Sequence, residues 1–340
     1  MSDDMLETNV TYEELAELEK DFDEVETEIL RKQYALSVPL YEKRQKIISQ
    51  IPNFWALVLE AAPLELDQYI QPSDSAVLAS SLKNLEVDRF EIKKDPSKGN
   101  PHSVSIKFEF SENEWFKNEV LEKKFWFRHA KDGWSGLVSE PVKINWKKDK
   151  DLTEGLTDAA FKLWEAEKKT ANGSSAKGKD KKEPIQEHKD LVKLVEDSTE
   201  GSMSFFAWFC FRGRDVSAEE SVEAEKEEKE RREKIKKGEK VESKEDDDDD
   251  DDEEESWLER EFFPQGEELA VSLSEDIWPG AIKYFTQAQE QEALSEADFE
   301  DDEDDDDDEE MNIDELKKLV AKKEEEEDAD SDRPAKKRKA

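Results

Sequence analysis

Residues 11–50 read TYEELAELEKDFDEVETEILRKQYALSVPLYEKRQKIISQ, and Ile51-Pro52-Asn53-Phe54-Trp55 closes the stretch. Thr11 and Glu14 make a capping-box pattern, with Val10 and Leu15 placed for a hydrophobic staple. Leu15, Leu18, Phe22, Val25 and Ile29 then recur in steps of three and four, and Leu36, Leu40, Ile47 and Ile51 roughly continue the seam. That is a coiled-coil period held over several heptads. The reading is a single helix ~60 Å long. No single small domain covers an apolar stripe of that length. The stripe asks for a partner, most simply a second copy. Leu15, Leu18, Phe22, Val25, Ile29, Leu36, Leu40 and Ile47 are the expected dimerisation residues. A long helix packed on its own domain is the alternative. Pro39 removes one helical hydrogen bond and crowds the preceding turn. Apolar spacing resumes beyond it, so the helix is expected to kink there and continue.

The 340 residues carry 93 acids and 52 bases, a formal net charge of -41. The imbalance is uneven. Residues 1–210 hold 41 acids against 30 bases, and residues 211–340 hold 52 against 22. Seventeen Phe and nine Trp suffice for a core, and most precede Phe211. A folded first part and a largely solvated second part are expected. Cys210 is the only cysteine, which excludes an intrachain disulfide and a thiolate metal cluster and fits a reducing compartment. No apolar run approaches the ~20 residues that span a bilayer. Met1-Ser2-Asp3-Asp4 is acidic and lacks the apolar region of a signal peptide. A chain so acidic repels free nucleic acid and anionic membrane, and its natural partner is strongly basic.

Beyond the long helix, Ile51–Ala61 reads as a short helix stopped near Pro63, and Ser73 or Asp74 is placed to cap another through Leu82. Leu85, Val87, Phe90 and Ile92 suggest a first strand with a slip near Asp88. Residues 95–101 are dense in turn formers. Ser103–Phe110 alternates cleanly, with Val104, Ile106, Phe108 and Phe110 on one face. Leu121, Phe125 and Phe127 mark a third strand, opposite Lys124, Trp126 and Arg128. Val142, Ile144 and Trp146 mark a fourth. A four-stranded antiparallel meander with one wet face needs helices on the other, which makes the class α+β. Leu156–Lys169 reads as a helix, and residues 191–195 extend a further one towards Ser204-Phe205-Phe206-Ala207-Trp208-Phe209-Cys210. That aromatic cluster must be buried. Residues 217–245 read as a solvated charged helix supported by (i, i+4) pairs. Asn312–Lys323 reads as a short helix.

No catalytic constellation is present. His102, His129 and His188 are scattered, with no metal-ligand spacing, and are expected at the surface. There is no phosphate loop, dinucleotide turn or serine elbow. Cys210 has no base near it in sequence and reads as a buried thiol. Neither metal nor cofactor is expected, and enzymatic activity is the least favoured class. The charge signal lies in two unbroken acidic runs, Glu245–Glu255 and Glu300–Glu310. Asp246, Asp250, Glu254, Asp304, Asp306 and Asp308 represent them as candidates for binding a basic partner. A solubilising tail and divalent-cation buffering are the other readings. Lys336, Lys337, Arg338 and Lys339, preceded by Pro334, read as a nuclear import signal. The alternative there is a charge-balancing tail.

Ile51-Pro52-Asn53-Phe54-Trp55, Ser103–Phe110 with Ser111-Glu112-Asn113, and Leu121–Phe125 resemble the nucleosome assembly protein family. So do the residues 146–153 (Trp-Lys-Lys-Asp-Lys-Asp-Leu-Thr), 204–209 (Ser-Phe-Phe-Ala-Trp-Phe) and 276–279 (Asp-Ile-Trp-Pro). The order matches from about residue 12 to residue 289, and the chain looks most like the SET (template-activating factor I) branch. The resemblance implies a homodimer through the long helix, with an earmuff domain at each end. It implies a histone chaperone; the expected location, with the terminal basic cluster, is the nucleus, and shuttling to the cytoplasm is the further reading. Its implied partners, on the earmuff underside, are the core histones, as either or both of the two core histone pairs. By position, Asp149, Asp151, Glu154, Glu275 and Asp276 are histone-binding candidates. SET-like proteins also suggest an alternative: an acidic inhibitor or scaffold of a phosphatase or chromatin-modifying enzyme. The expected organisation is a disordered 1–10, the dimerisation helix 11–50 and an earmuff 51–215 with a flexible insertion at 170–190. A charged insertion 216–256, a docked C-terminal helix 257–290 and an acidic tail 291–340 follow. The insertions at 170–190 and 214–256 are longer than the SET pattern, and the terminal basic cluster is not a general family feature.

Overall fold

The computed structural model describes residues 12–173, 185–197, 203–236, 261 and 263–301. By internal contacts the chain divides into two units, one ending at Ala288 and one beginning at Gln289. The first holds the sheet and the core. Of the second, the described part is the end of the last helix, up to Asp301. Residues 1–10, the two acidic runs beyond Asp301 and before Glu261, Asn312–Lys323 and the terminal basic cluster lie outside the described residues.

The long helix α1 (Tyr12–Ile48) runs unbroken for 37 residues with Pro39 inside it. Ser49 and Gln50, expected as helix, form the closing turn, where Gln50 N and Ile51 N donate to Ile47 O and Ile48 O. Asn53 then takes a left-handed backbone (φ 55°) and redirects the chain into α2 (Phe54–Glu60). α3 (Leu64–Asp67) and α4 (Pro72–Ser81) follow. The start of α4 differs from expectation. Gln71 is the capping position, Pro72 opens the helix, and Asp74 reaches back to accept from Gln71 N at 3.0 Å.

The sheet has the order β1 (Leu82–Asp88), β2 (Val104–Phe110), β3 (Val120–His129) and β4 (Ser135–Ser139), every pair antiparallel. Two strand readings are corrected. Phe90 and Ile92 belong to a short helix α5 (Phe90–Lys94), and the irregularity of β1 falls between Leu82 and Asn84, not at Asp88. The fourth strand is Ser135–Ser139. Val142 N donates instead to Phe209 O, and Trp146 meets Phe116 in an isolated bridge. Those alternating apolar residues pack on the core without joining the ladder.

α6 (Leu156–Gly173) and α7 (Gln186–Asp197) narrow the expected insertion at both ends. A 3-10 segment, Phe205–Cys210, is buried at every residue and fills the centre of the core. α8 (Ala218–Lys236) follows. It is not free in solvent: it bonds to β3 and to α1. α9 (Gly266–Val271), a π-helical segment Ser272–Ile277 and α10 (Ala281–Asp301) complete the described chain.

Candidate functional site

The two faces of α1 have opposite environments. On the inner face, Arg31 donates to Pro96 O and Gly99 O (2.9 and 2.6 Å), and the Tyr34 hydroxyl donates to Asp88 Oδ1 at 2.6 Å. Gln45 donates to Asn84 Oδ1, which the Trp55 indole also reaches. Arg44 is the buried anchor. Its guanidinium lies over the rings of Trp278 (4.5 Å), Tyr41 (4.7 Å) and Trp55 (5.7 Å), and donates to Trp278 O. Burial pulls its pKa down to about 10.

The outer face presents Leu15, Leu18, Phe22, Val25, Ile29, Leu36, Leu40 and Ile47, each more than half exposed. These are the eight residues the heptad pattern singles out. A contiguous apolar stripe of this length marks an interaction surface.

The Asp276-Ile277-Trp278-Pro279 sequence acts as a joint between the core and α1. Ile277 is fully buried, and the Trp278 indole donates to Leu85 O at 3.2 Å. Asp276 Oδ2 accepts from the Tyr284 hydroxyl at 2.7 Å, and its carbonyl accepts from Gly280 N. A Cβ at Gly280 would stand 2.8 Å from that carbonyl, so the turn into α10 needs glycine. Glu275 is exposed and pairs with Arg89 at 3.3 Å. It belongs to the π-helical segment, ahead of the last helix rather than at its start.

The loop 149–154 is built differently. Asp151 Oδ1 accepts from Thr153 N and Oγ1, and Oδ2 accepts from Gly155 N, so this carboxylate folds the loop into α6. Asp149 and Glu154 are exposed and take left-handed backbones (φ 58° and 52°). Lys147, Lys148 and Lys150 alternate with these acids, and Lys150 pairs with Glu114. The two acidic clusters are held apart. Arg89, the partner of Glu275, bonds Pro101 O before β2, whereas Lys147 bonds Asn113 O after it. Seven strand residues at about 3.3 Å each separate those ends. Asp246, Asp250, Glu254, Asp304, Asp306, Asp308, Lys336, Lys337, Arg338 and Lys339 lie outside the described residues.

Sequence reasoning passed over Lys123. It alternates with Leu121 and Phe125, which places it on the core face, and its ammonium donates to Glu140 O, Phe209 O and Phe211 O (3.1, 3.1 and 2.8 Å). Burial lowers its pKa to about 7. Neighbouring Cys210 is fully buried and pushed up to about 12, which removes it from thiolate chemistry at neutral pH. The histidines are half-buried, against expectation. His102 leans on Phe127 at 5.1 Å, and His129 Nδ1 meets Ser135 Oγ at 2.7 Å. Among the described residues no group of three or more His, Cys, Asp or Glu is arranged to hold a metal ion, and no helix is long and apolar enough to cross a membrane.

The family model described as nucleosome assembly protein (NAP) matches residues 49–288. A Schizosaccharomyces pombe protein named for nucleosome assembly is 40% identical over 158 residues, covering 43% of this chain and 62% of the relative. Drosophila melanogaster protein SET is 34% identical over 125 residues, covering 36% and 42%. These two alignments span less than two thirds of the relatives' own lengths. Vacuolar protein sorting-associated protein 75 of Saccharomyces cerevisiae is 23% identical over 277 residues, covering 81% and 77%. The crystal structure of Ccp1 aligns with 82% of this chain and 95% of its own at 28% identity, with a TM-score of 0.47. The family model covers more than half of the chain and takes in the sheet, the buried 3-10 segment and the Trp278 joint; the chain belongs to the nucleosome assembly protein family.

Proposed function

We propose that this chain is a nuclear histone chaperone that binds core histones and promotes nucleosome assembly and disassembly without an enzymatic step. Membership of the nucleosome assembly protein family is the observation that carries the reading. The net charge of -41 supports it, because a polyanion attracts Lys- and Arg-rich partners through many salt-screened contacts. Two copies pair through the outer face of α1, and each contributes acidic surface. Asp149, Glu154 and Glu275 stand exposed for this role, and the runs at 245–255 and 300–310 add the densest charge. The terminal Lys336–Lys339 cluster directs the chain to the nucleus.

The mechanism is competition. The chaperone holds histones off random DNA, and DNA, with denser charge, takes them in the ordered product. The test mixes the full chain with core histones and DNA at physiological salt. Histone binding and a higher nucleosome yield are expected; absence of both ends the reading. Removing residues 300–340 is expected to weaken histone binding and flatten its salt dependence.

A further inference from the structure

The N-terminal half of α1 and the C-terminal end of α8 are oppositely charged. Residues 12–30 carry nine carboxylates and one lysine, and residues 229–236 carry five cations and two glutamates. Each helix puts its charge where its own dipole favours it: acids at the start of α1, bases at the end of α8. Glu17, Asp21 and Glu24 lie on one face of α1, at i, i+4 and i+7. Arg232 sits where they converge. Nε donates to Glu17 (3.0 Å), Nη2 to Asp21 (2.8 Å) and Nη1 to Glu24 (2.5 Å). The side chains of Arg232 and Glu17 are each only 13% exposed. Lys236 adds a contact to Asp21, and Lys20 pairs with Glu228. At its other end α8 is held by the β3–β4 hairpin, where His129 N donates to Ser221 Oγ and Lys131 pairs with Glu223 and Glu227. Ser221 and Ala224, both near that end, are the buried residues of α8. The far end meets α1 through these ion pairs.

We propose that the α1 face bearing Glu17, Asp21 and Glu24 is a docking surface for an arginine-bearing basic segment of a partner, and that α8 occupies it in cis as a displaceable strap. The inference rests on the basic-partner reading above and adds a site and a switch to it. A guanidinium fork is the cation that matches three converging carboxylates, and Arg232 displays that match. The strap compensates the site only in part. Its three carboxylates meet two cations, Arg232 and Lys236, and the side chains of Asp21 and Glu24 remain 49% and 68% exposed. A segment with more arginine and lysine per turn gains more from the site than α8 does. Displacing α8 also frees its own basic end.

Hydrogen exchange on the full chain, resolved by segment, tests this. Raising NaCl to about 1 M shrinks the Debye length to about 3 Å and is expected to speed exchange in residues 222–236 about tenfold, with β2 and β3 unchanged. Saturating oligo-arginine peptide at low salt is expected to do the same. Arg232→Glu should expose α8 without either treatment. In an Arg232→Ala background, Glu17→Gln with Asp21→Asn and Glu24→Gln should weaken oligo-arginine binding several-fold; sites confined to the acidic runs would leave it unchanged. Unchanged α8 protection in high salt, or peptide binding that leaves α8 protected, overturns the proposal. A chain that assembles nucleosomes with α8 closed throughout overturns the strap alone. A chain whose α8 opens to oligo-arginine but that binds no histone overturns the chaperone reading alone.

Discussion

The 3-10 segment Phe205–Cys210 and helix α8 follow each other closely in the chain, yet they join the sheet by opposite means. The first is dry. Its rings pack on Phe108, Phe116 and Phe125, and the Trp208 indole donates to Gly266 O at 2.9 Å. Its polar groups are matched by two buried charged residues. Asp74 accepts from Ser204 Oγ and Phe205 N, and Lys123 donates to Phe209 O and Phe211 O. The second is wetter: only Ser221 and Ala224 are buried, one hydroxyl bond ties it to β3, and ion pairs whose carboxylates are mostly solvated hold the rest. Burial and satisfied buried hydrogen bonds respond little to salt, whereas exposed charge pairs are screened by it. The same domain thus carries one attachment that decides whether it folds and one that can be released while it stays folded.

The largest expected effect breaks the dry attachment. Asp74→Ala strands the Ser204 hydroxyl and the amides of Phe205 and Gln71, and should cost about 3 kcal/mol in urea unfolding. Lys123→Met is expected to cost about 2 kcal/mol, because Phe211 O loses its donor, whereas Phe209 O keeps Val142 N and Glu140 O keeps the Ser139 hydroxyl. Its pH signature is specific. Burial holds the folded pKa at about 7, against 10.5 unfolded, so the unfolded chain binds more protons between those values. Wild-type stability should therefore rise as pH climbs above 7, by at most about 1.4 kcal/mol per unit, and the Met variant should lack that rise. Tyr34→Phe removes one hydrogen bond to Asp88 on the inner face of α1 and should cost about 1 kcal/mol. The smallest effect belongs to the strap. Arg232→Ala should lower global stability by at most about 1 kcal/mol at low salt, because Asp21 and Glu24 are largely solvated, and by less near 1 M. A large, salt-independent loss there would erase the contrast between the two attachments.

How far this was legible in the sequence follows from the signals involved. The period of α1 and the alternation of Val104 to Phe110 mark long elements with one buried face, and such patterns survive in any context. The family motifs placed the Trp278 joint without saying what it does. β4 was missed because Ser135-Gly136-Leu137-Val138-Ser139 is short, with a glycine inside and no clean alternation. Val142, Ile144 and Trp146 alternate more clearly but pack on the core outside the ladder. Lys123 kept the right phase for the core, and its identity argued it outward. Only the three carbonyls converging from distant segments make a buried ammonium tolerable, and they cannot be read locally. The same holds for Arg232 and its carboxylates, which lie more than two hundred residues away in sequence.

The inner face of α1 is satisfied by its own domain, and among the described residues the eight apolar side chains of the outer face stay more than half exposed. Pairing of two copies through that outer face is the claim on which the extended, two-domain chaperone rests. Sedimentation equilibrium of the full chain at micromolar concentration tests it most directly. The wild type is expected at twice the chain mass of 39.5 kDa, and a Phe22→Glu/Ile29→Glu variant at a single chain mass with its sheet intact. A wild-type chain that sediments at 39.5 kDa would contradict the claim.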